Sequence, residues 1–354
     1  MHEEVILTPP ISSEPRINGP KVFGISSNSP ILIKIPATGV KPLHYHIENL
    51  PQGLSLDSHT GIIRGRLSEA KSIILQLTVS NSLGKSERTI KIIVGDTICL
   101  TPPMGWNSWY VYSLWVSQEK IERTAQAMHD SGLIDHGWSY VNIDDGWQGF
   151  RDMVGTKALQ PNPKFPDMGA MCEKIHDLGL KVGIYSTPWV GSYAGYSGGS
   201  IPNANSDYSQ WIMPDKFRYE KYQLFGNPNH ICKKVRFFGQ DMSQYDVAQW
   251  AEWGLDLLKY DWNPNDEPHI IQMGEYLHNC GRDIVYSLSN SIPFKVAQKN
   301  IPYVNLWRTT WDILDYWIVM AWIGFRQQKW THLTRPGHWN DPDMLQLGMT
   351  AHPH

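Results

Sequence analysis

The sequence predicts an α/β fold, a (β/α)8 barrel that is truncated before its eighth strand and preceded by a small all-β sandwich. Three observations support this prediction. Short alternating strands and turn residues fill residues 13–97, whereas apolar strands alternate with helices across residues 98–354. Polar residues also gather where the second set of strands ends, as they do at the mouth of a barrel.

The composition places the chain among globular proteins. Of its 354 residues, 41% are hydrophobic and 18% are charged, so extensive disorder is not expected. The net charge of −3 gives no basic field for nucleic acid, and no apolar run is long enough to span a membrane. The four cysteines are widely spaced and include no CxxC pair, which argues against a zinc cage.

Short strands dominate the N-terminal domain, residues 13–97. Candidate strands are PILIKIPA, HYHIEN, IILQLTVSNS and TIKIIVG, with turn residues between them. Thr78 and Ser80 alternate with Leu77 and Val79, which is the period of a half-exposed strand. The segment LPQGLSLDSHTGIIRGR resembles the immunoglobulin-like domains that precede bacterial secreted hydrolases. We expect an immunoglobulin-like sandwich that packs as a spacer on the next domain, and direct carbohydrate binding is the less favoured alternative.

Seven candidate strands follow in the domain at 98–354. They are contained in MGWNSW, SYVNIDD, LKVGIYSTPW, LDLLKYD, RDIVYSLS, VNLWRTTWD and GHWNDPDML. The helix before the third strand has an apolar face at positions i, i+3, i+4 and i+7, formed by Met168, Met171, Cys172 and Ile175. Gly179 and Gly254 are suited to end this helix and the next one. Apolar strands that alternate with helices predict a parallel sheet covered by helices.

Polar side chains stand at or just after the carboxyl ends of these strands. In a barrel those ends surround one mouth, where the active site forms. An open doubly wound sheet also binds ligands at strand ends, but no GxGxxG or P-loop pattern opens a helix here. The barrel is therefore favoured. The polar residues are Asp144, Asp145, Tyr185, Lys259, Asp261, Ser289, Arg308, Asp341 and Asp343.

Seven strands are one fewer than a closed (β/α)8 barrel requires. The segment RYEKYQLFGNPNHICKKVRFFGQ, within residues 197–240, is interpreted as an insertion over the mouth and not as the missing strand. An open barrel would leave strand edges unpaired. We therefore expect the chain to be truncated at its C-terminus relative to the working protein. Direct pairing of the last strand with the first, in a closed seven-stranded barrel, would contradict this expectation.

The stretch DLLKYDWNP carries a cation and a carboxylate at the end of a buried strand. Lys259 and Asp261 are two residues apart and therefore lie on the same face of the strand. Several carboxylates beside one Lys and one Arg suit the cleavage of a glycosidic bond. One carboxylate attacks or activates water, and another donates a proton. Trp109 or Trp189 would offer a flat surface to a sugar ring.

Two other functions fit the same residue types. The carboxylates could hold Mg²⁺ or Ca²⁺ in a metal-dependent hydrolase or isomerase, although Lys259 and Arg308 would repel the cation. The barrel could also bind a sugar without cleaving it. The residue types alone favour a glycosidase over both alternatives.

Six ordered motifs resemble glycoside hydrolase family twenty-seven, the α-galactosidase (melibiase) family. They are PPMGWNSW, NIDDGWQG, GLKVGIYS, WGLDLLKYDW, WR…WD and GHWNDPDML, and the similarity covers residues 102–348. The resemblance implies a barrel followed by an antiparallel β domain, which would lie with the eighth strand beyond His354. It also implies a retaining enzyme that releases terminal α-linked galactose from oligo- or polysaccharides and uses no cofactor or metal. A secreted or periplasmic location is inferred from the family and the sandwich domain alone.

The resemblance also implies the two catalytic roles. Asp261 matches the nucleophile, and Asp312 matches the acid/base because the WR pair is followed by three residues and then Asp. Asp315, three residues further on, is a rival for the second role. A retaining mechanism predicts that the two carboxyl groups lie about 5–5.5 Å apart and that Asp312 has the higher pKa. The cation of Lys259 would lower the pKa of Asp261.

The remaining site residues are assigned to the sugar ring by the same resemblance. Asp144 and Asp145 match the pair that binds the 4- and 6-hydroxyls, and both can reach the sugar only if the strand has ended by Asp144. Arg308 and Asp343 match groups around the 2-hydroxyl, whereas Asp341 is expected to stabilise the NDPD turn. The other matches are Lys259 for ring hydroxyls, Trp109 for the aromatic wall and Tyr185 beside the nucleophile.

The sequence departs from the family pattern at three places. Gly146 and Trp262 stand where eukaryotic relatives have cysteines, so those disulfides are absent. Ser289 stands where many α-galactosidases have Glu, and a small residue there is used by α-N-acetylgalactosaminidases. The insertion at 197–240 could restrict the mouth to terminal sugars. The specificities α-N-acetylgalactosaminidase, β-L-arabinopyranosidase and isomalto-oligosaccharide release therefore stay open, as does an inactive sugar-binding fragment. The sequence does not determine the oligomeric state.

Overall fold

The N-terminal part of the chain is built of β-strands. The computed structural model describes residues 11–202, 236 and 238–345. The N-terminal strands are β1 Arg16–Ile17, β2 Val22–Ile25, β3 Ile31–Lys34, β4 Ala37–Thr38, β5 His44–Glu48, β6 Leu54–Leu56, β7 Ile62–Gly65, β8 Lys71–Asn81 and β9 Gly84–Val94. They form a sheet in the order β2-β9-β8-β5, a second sheet in the order β3-β7-β6, and the pair β1-β4.

Alternation of apolar residues explains how these strands pack. In β8 the side chains of Leu75, Leu77 and Val79 are buried, and those between them are exposed or half-buried. The period of two that predicted this strand is thereby confirmed. β8 and β9 pair antiparallel along their whole length. The immunoglobulin-like classification of this part and the domain boundary near residue 97 stay predictions.

The second part of the chain contains the sheet that positions the candidate site. Its strands are β10 Gly105–Asn107, β11 Tyr140–Asn142, β12 Gln148–Arg151, β13 Leu159–Pro161, β14 Lys181–Ser186, β15 Ser200–Ile201, β16 Gln240–Asp241, β17 Leu257–Asp261, β18 Val285–Ser289, β19 Leu306–Arg308 and β20 Trp339–Asp341. Seven of them form one parallel sheet in the order β10-β11-β14-β17-β18-β19-β20. All seven predicted strands are in this sheet. Among the described residues β10 and β20 stand at its two ends, which fits an incomplete barrel.

Helices connect the parallel strands. They are α1 Trp109–Tyr112, α2 Gln118–Asp130, α3 Met168–Asp177, α4 Ser243–Trp253, α5 Glu267–Asn279, α6 Phe294–Asn300 and α7 Trp317–Phe325. The predicted apolar face of α3 is buried, and it consists of Met168, Met171, Cys172 and Ile175. The side chain of Asp167 accepts the Ala170 N–H at 2.9 Å and begins this helix, and the left-handed Gly179 follows its end.

Two short antiparallel pairs, β12-β13 and β15-β16, lie in connections that follow the carboxyl ends of β11 and β14. The second pair joins the two ends of the insertion predicted at 197–240, because Ser200 pairs with Asp241 and Ile201 with Gln240. Residues 203–235 and 237 of this segment lie outside the described residues. The role of the insertion over the mouth therefore stays a prediction.

The N-terminal strands contact the amino ends of the parallel strands. Asp283 precedes β18, donates its N–H to the Ser29 hydroxyl at 2.8 Å and accepts the Ser26 N–H at 2.9 Å. Asp135 precedes β11 and forms an ion pair with Lys41 at 3.0 Å. These contacts lie on the side of the sheet opposite the predicted mouth. The role of the N-terminal strands as a spacer stays a prediction.

Candidate active site

Side chains at the carboxyl ends of the parallel strands meet at one level of the sheet. Asp261 ends β17 and stands opposite Ser289, which ends β18. Arg308 ends β19 and stands opposite Asp341 of β20. The register therefore brings the predicted polar residues of four neighbouring strands together.

The ammonium group of Lys259 is paired with a carboxylate from another strand. Its Nζ lies 2.7 Å from Asp144 Oδ2, and both side chains are largely shielded from solvent. Burial lowers the pKa of Lys259, but the charges of Asp144 and Asp261 outweigh it and raise the pKa above its ordinary value. Lys259 is therefore a permanent cation within the mouth.

Asp261 is buried, since only 7% of the residue is exposed to solvent. Burial raises its pKa above the ordinary value, while Lys259 and Arg308 act in the opposite direction. Lys259 was expected to lower this pKa, but burial outweighs its charge and the net shift is upward. The reason is that loss of hydration destabilises the ionised carboxylate more than Lys259 and Arg308 stabilise it.

Asn290 supplies a hydrogen-bond donor to Asp261. Its Nδ2 donates to Asp261 Oδ1 and also to the Tyr193 hydroxyl, at 3.3 Å. Asn290 directly follows β18 and has a φ of +66°, the left-handed conformation that Asn tolerates better than most residues. Neither Asn290 nor Tyr193 was predicted from the sequence as a site residue. The available signal was the position of Asn290, directly after Ser289 at the end of a predicted strand.

Arg308 connects three site residues and is itself buried. Its Nη2 donates to Asp312 Oδ1 at 2.7 Å, and its Nη1 donates to Ser289 Oγ at 3.3 Å. Nη1 also lies 3.5 Å from Asp343 Oδ1. Burial raises the pKa of Asp343 to about 6, although the Arg308 charge opposes this shift. The guanidinium therefore fixes the relative positions of its three partners.

Asp312 is the exposed acid of the mouth, since its side chain is 70% exposed. Burial is the main cause that raises the pKa of Asp261, and the charge of Asp312 acts in the same direction. The rival Asp315 is also exposed, but Arg308 bonds to Asp312. The predicted separation of about 5–5.5 Å and the predicted higher pKa of Asp312 stay predictions.

Asp144 and Asp145 follow β11, which ends at Asn142. The condition that the strand has ended before both carboxylates is therefore met. Asp145 accepts the Ala194 N–H at 2.9 Å and a Gln148 Nε2 bond at 3.0 Å, whereas Asp144 faces Lys259. Burial raises the pKa of Asp145 to about 6. Asp145 thus connects the mouth to the loop around Ala194.

The three aromatic residues that the sequence suggested for the site differ in their burial. Tyr185 is buried, and its hydroxyl has no hydrogen-bond partner within the part of the chain that the structure describes. Trp109 is half-buried beside the buried Tyr196. Trp189 is buried, so its ring is not an open floor for a sugar. Trp109 is the better candidate for the aromatic wall.

In residues 11–202, 236 and 238–345, no group of three or more His, Cys, Asp or Glu side chains could hold a metal ion. The carboxylates of the mouth instead have Lys259 and Arg308 beside them. Such an arrangement favours binding of hydroxyl-rich ligands, because bonds to charged groups are worth roughly 1.5–3 kcal/mol each.

The sequence matches the family model described as alpha galactosidase A over residues 101–219 and 221–352. It is similar to alpha-galactosidase 2 of Arabidopsis thaliana, with 31% identity over 263 residues that cover 73% of this chain and 57% of that protein. It is also similar to the alpha-galactosidase of Oryza sativa, with 33% identity over 256 residues that cover 70% and 51%. The chain spans about half the length of these curated relatives.

Solved structures are similar as well. A Bacteroides fragilis protein named as a candidate alpha-galactosidase matches with a TM-score of 0.77 and 30% identity, covering 96% of this chain and 68% of that chain. A β-L-arabinopyranosidase of Geobacillus stearothermophilus matches with a TM-score of 0.52 and 27% identity, covering 70% and 62%. The first similarity extends over most of the N-terminal strands as well as the parallel sheet.

Proposed function

This chain belongs to the alpha galactosidase A family of glycoside hydrolases, and we propose on that premise that the protein releases terminal α-linked galactose with retention of configuration. One observation carries the proposal. Arg308 donates a hydrogen bond to the Asp312 carboxylate, and its charge lowers the pKa of Asp261. One buried cation therefore interacts with both candidate acids. Oligo- or polysaccharides with terminal α-galactosides are the proposed substrates.

The proposed reaction has two displacement steps. In the first, Asp261 Oδ attacks the anomeric carbon while the bond from that carbon to the glycosidic oxygen breaks. Asp312 gives its proton to the leaving oxygen, so an alcohol departs and a galactosyl ester of Asp261 remains. In the second, Asp312 takes a proton from water, whose oxygen attacks the anomeric carbon and releases Asp261. Two inversions retain the configuration.

The surroundings of the two acids support these different roles. Asp261 must be ionised to attack, and Lys259, Arg308 and the Asn290 amide all favour its charged form against the cost of burial. Asp312 must exchange protons twice in each turnover. Its exposed side chain can do so with the leaving group and with water.

Recognition of the galactose ring is assigned to groups other than the two proposed catalytic acids. The Asp144–Lys259 pair offers one acceptor and several donors to neighbouring hydroxyls. The unpartnered Tyr185 hydroxyl would gain a hydrogen bond to the sugar. Trp109 would contact the apolar face of the ring. Asp145 would contribute directly or by holding the loop around Ala194.

A second specificity is favoured by Ser289. Its small buried side chain bonds to Arg308, beside Asp343 on the side assigned to the 2-hydroxyl. A small residue there would leave room for an acetamide group. The second candidate is therefore an α-N-acetylgalactosaminidase, and a β-L-arabinopyranosidase is considered because a solved structure of that name is similar.

The function is tested by comparing nitrophenyl α-galactoside, nitrophenyl α-N-acetylgalactosaminide and nitrophenyl β-L-arabinopyranoside. We expect the highest kcat/KM for the α-galactoside, with α-galactose as the first product seen by proton NMR. Initial release of β-galactose would contradict retention. Galactose binding in calorimetry without turnover of any substrate would identify a sugar-binding protein that lacks catalysis.

A secreted or periplasmic location is proposed from the family premise. In the part of the chain that the structure describes, no helix is long and apolar enough to cross a membrane. Fractionation of the source cells would test the location. Recovery of the protein with the cytoplasmic fraction alone would contradict it.

A further inference from the structure

An exposed indole ring stands directly beside the proposed acid/base. Trp311 precedes Asp312 in the chain and is 57% exposed. Its ring stacks on that of Trp322 in α7, with centroids 4.8 Å apart and planes 16° from parallel. The Arg326 guanidinium lies 4.7 Å from the centroid of the Trp322 ring. Trp311 is therefore held flat by a neighbour and still presents a large part of its surface to solvent.

Trp322 connects this stack to the wall of the mouth. Trp322 and Trp109 pack against the same buried cluster, formed by Tyr110, Ile313 and Ile323. Trp109 is the proposed wall for galactose. The stacked ring of Trp311 is thus linked through Trp322 and this buried cluster to Trp109.

The chemistry of glycoside cleavage gives this surface a position relative to the substrate. Asp312 must lie within hydrogen-bond reach of the glycosidic oxygen that it protonates. The sugar on the far side of that oxygen therefore lies beside Asp312. Trp311 directly precedes Asp312 in the chain. Its flat indole ring matches the apolar C–H face of a pyranose ring.

We propose that Trp311, supported by Trp322, forms a leaving-group subsite that binds a neutral pyranose attached to galactose. This inference rests on the proposed function and adds the side chain that would contact the sugar on the leaving-group side of the bond. Because the stack is already ordered, binding a sugar on it immobilises few additional side-chain rotamers.

The subsite is tested with two substrates that share galactose but differ in leaving group. Melibiose has a glucose leaving group, whereas α-galactosyl fluoride has no ring to place on Trp311. We expect Trp311→Ala to lower kcat/KM for melibiose by about tenfold, the size of one good aromatic contact. We expect kcat/KM for the fluoride to stay within about twofold of the wild-type value.

Two further variants separate binding from folding. Trp311→Phe keeps an aromatic ring and should recover most of the activity on melibiose. Trp317→Ala removes a Trp of α7 that is 73% exposed and should leave both substrates unaffected. Equal losses on both substrates in Trp311→Ala, or no loss on melibiose, would overturn the subsite alone. A wild-type protein inactive on the fluoride would overturn the proposed function and the subsite together.

Discussion

Strand β17 has a buried aspartate at each end, and the two behave differently. Asp256, just before the strand, accepts the Val182 N–H at 2.9 Å, lies 2.8 Å from His176 Nε2 and accepts an Arg282 bond at 2.7 Å. Burial opposes its ionisation, yet His176 and Arg282 outweigh burial and lower its pKa to about 2. Asp261 ends the strand, and burial raises its pKa.

The difference separates a structural carboxylate from the proposed nucleophile. At the amino end, both oxygens of Asp256 are taken by protein donors, and the charge stabilises the fold. At the carboxyl end, burial of Asp261 is only partly offset. This division agrees with barrels in general, where the amino face serves stability and the carboxyl face serves chemistry.

The largest expected effect is on activity, in Asp261→Asn. Removing the proposed nucleophile should lower kcat for α-galactosides by at least about 10³-fold, because the Asn amide cannot form the galactosyl ester. The change is nearly isosteric, so we expect the protein to stay folded. Turnover on nitrophenyl α-galactoside and a thermal unfolding curve would measure both.

A smaller variant provides the control for this prediction. In Asp261→Gly the vacated space should admit azide, which would attack the anomeric carbon and give β-galactosyl azide. Recovery of activity with azide would identify the missing group as a nucleophile. Unchanged turnover in Asp261→Asn would refute the assignment and remove the contrast between the two ends of β17.

The second prediction concerns stability, in Asp256→Asn. At neutral pH the unfolding free energy should fall by about 3–5 kcal/mol, because His176 and Arg282 would lose a buried partner. The activity of the folded variant should stay within about twofold of wild type. Urea unfolding would measure the loss. Asp177→Asn, in an exposed ion pair with Arg64, should cost less than about 1 kcal/mol and serves as the control.

The same variant gives a pH dependence of known sign. The folded pKa of Asp256 is about 2, below the ordinary value of about 3.9. Its contribution to stability is therefore present above pH ~4 and is lost as the pH falls toward about 2. The difference between wild type and Asp256→Asn should shrink over that interval. A difference that grows with acid would contradict the structural role of Asp256.

Local patterns predicted the features that depend on neighbours in sequence or in register. The seven strands were predicted from apolar runs. The grouping of polar side chains at their carboxyl ends was predicted because parallel strands end at the same edge of a sheet. The family membership predicted from the six motifs is confirmed by the match over residues 101–219 and 221–352. The roles of Asp261 and Asp312 stay proposals.

Features that depend on distant packing could not be predicted in this way. The net pKa shift of Asp261 depends on burial by several strands, whereas the sequence shows only that Lys259 is near. The bond from Asn290 to Tyr193 joins residues 97 apart in the chain. It also needs a left-handed residue after β18, which no apolar pattern reveals.

The smallest expected effect comes from the donor to Asp261, in Asn290→Gly. Glycine keeps the left-handed backbone without strain, so the variant removes only the amide. Loss of a donor to the ionised form should raise the pKa of Asp261 further and lower kcat by about tenfold. The acidic limb of the profile of kcat/KM against pH should therefore move to higher pH.

A matched variant shows whether that shift belongs to the amide. Asn49→Gly makes the same change at another left-handed Asn, which lies in the turn directly after β5. It should leave both kcat and the acidic limb unchanged. An Asn290→Gly profile that coincides with wild type would mean that Asp261 is kept ionised by Lys259 and Arg308 alone. The carboxyl end of β17 would then depend on charge pairs, as the amino end does.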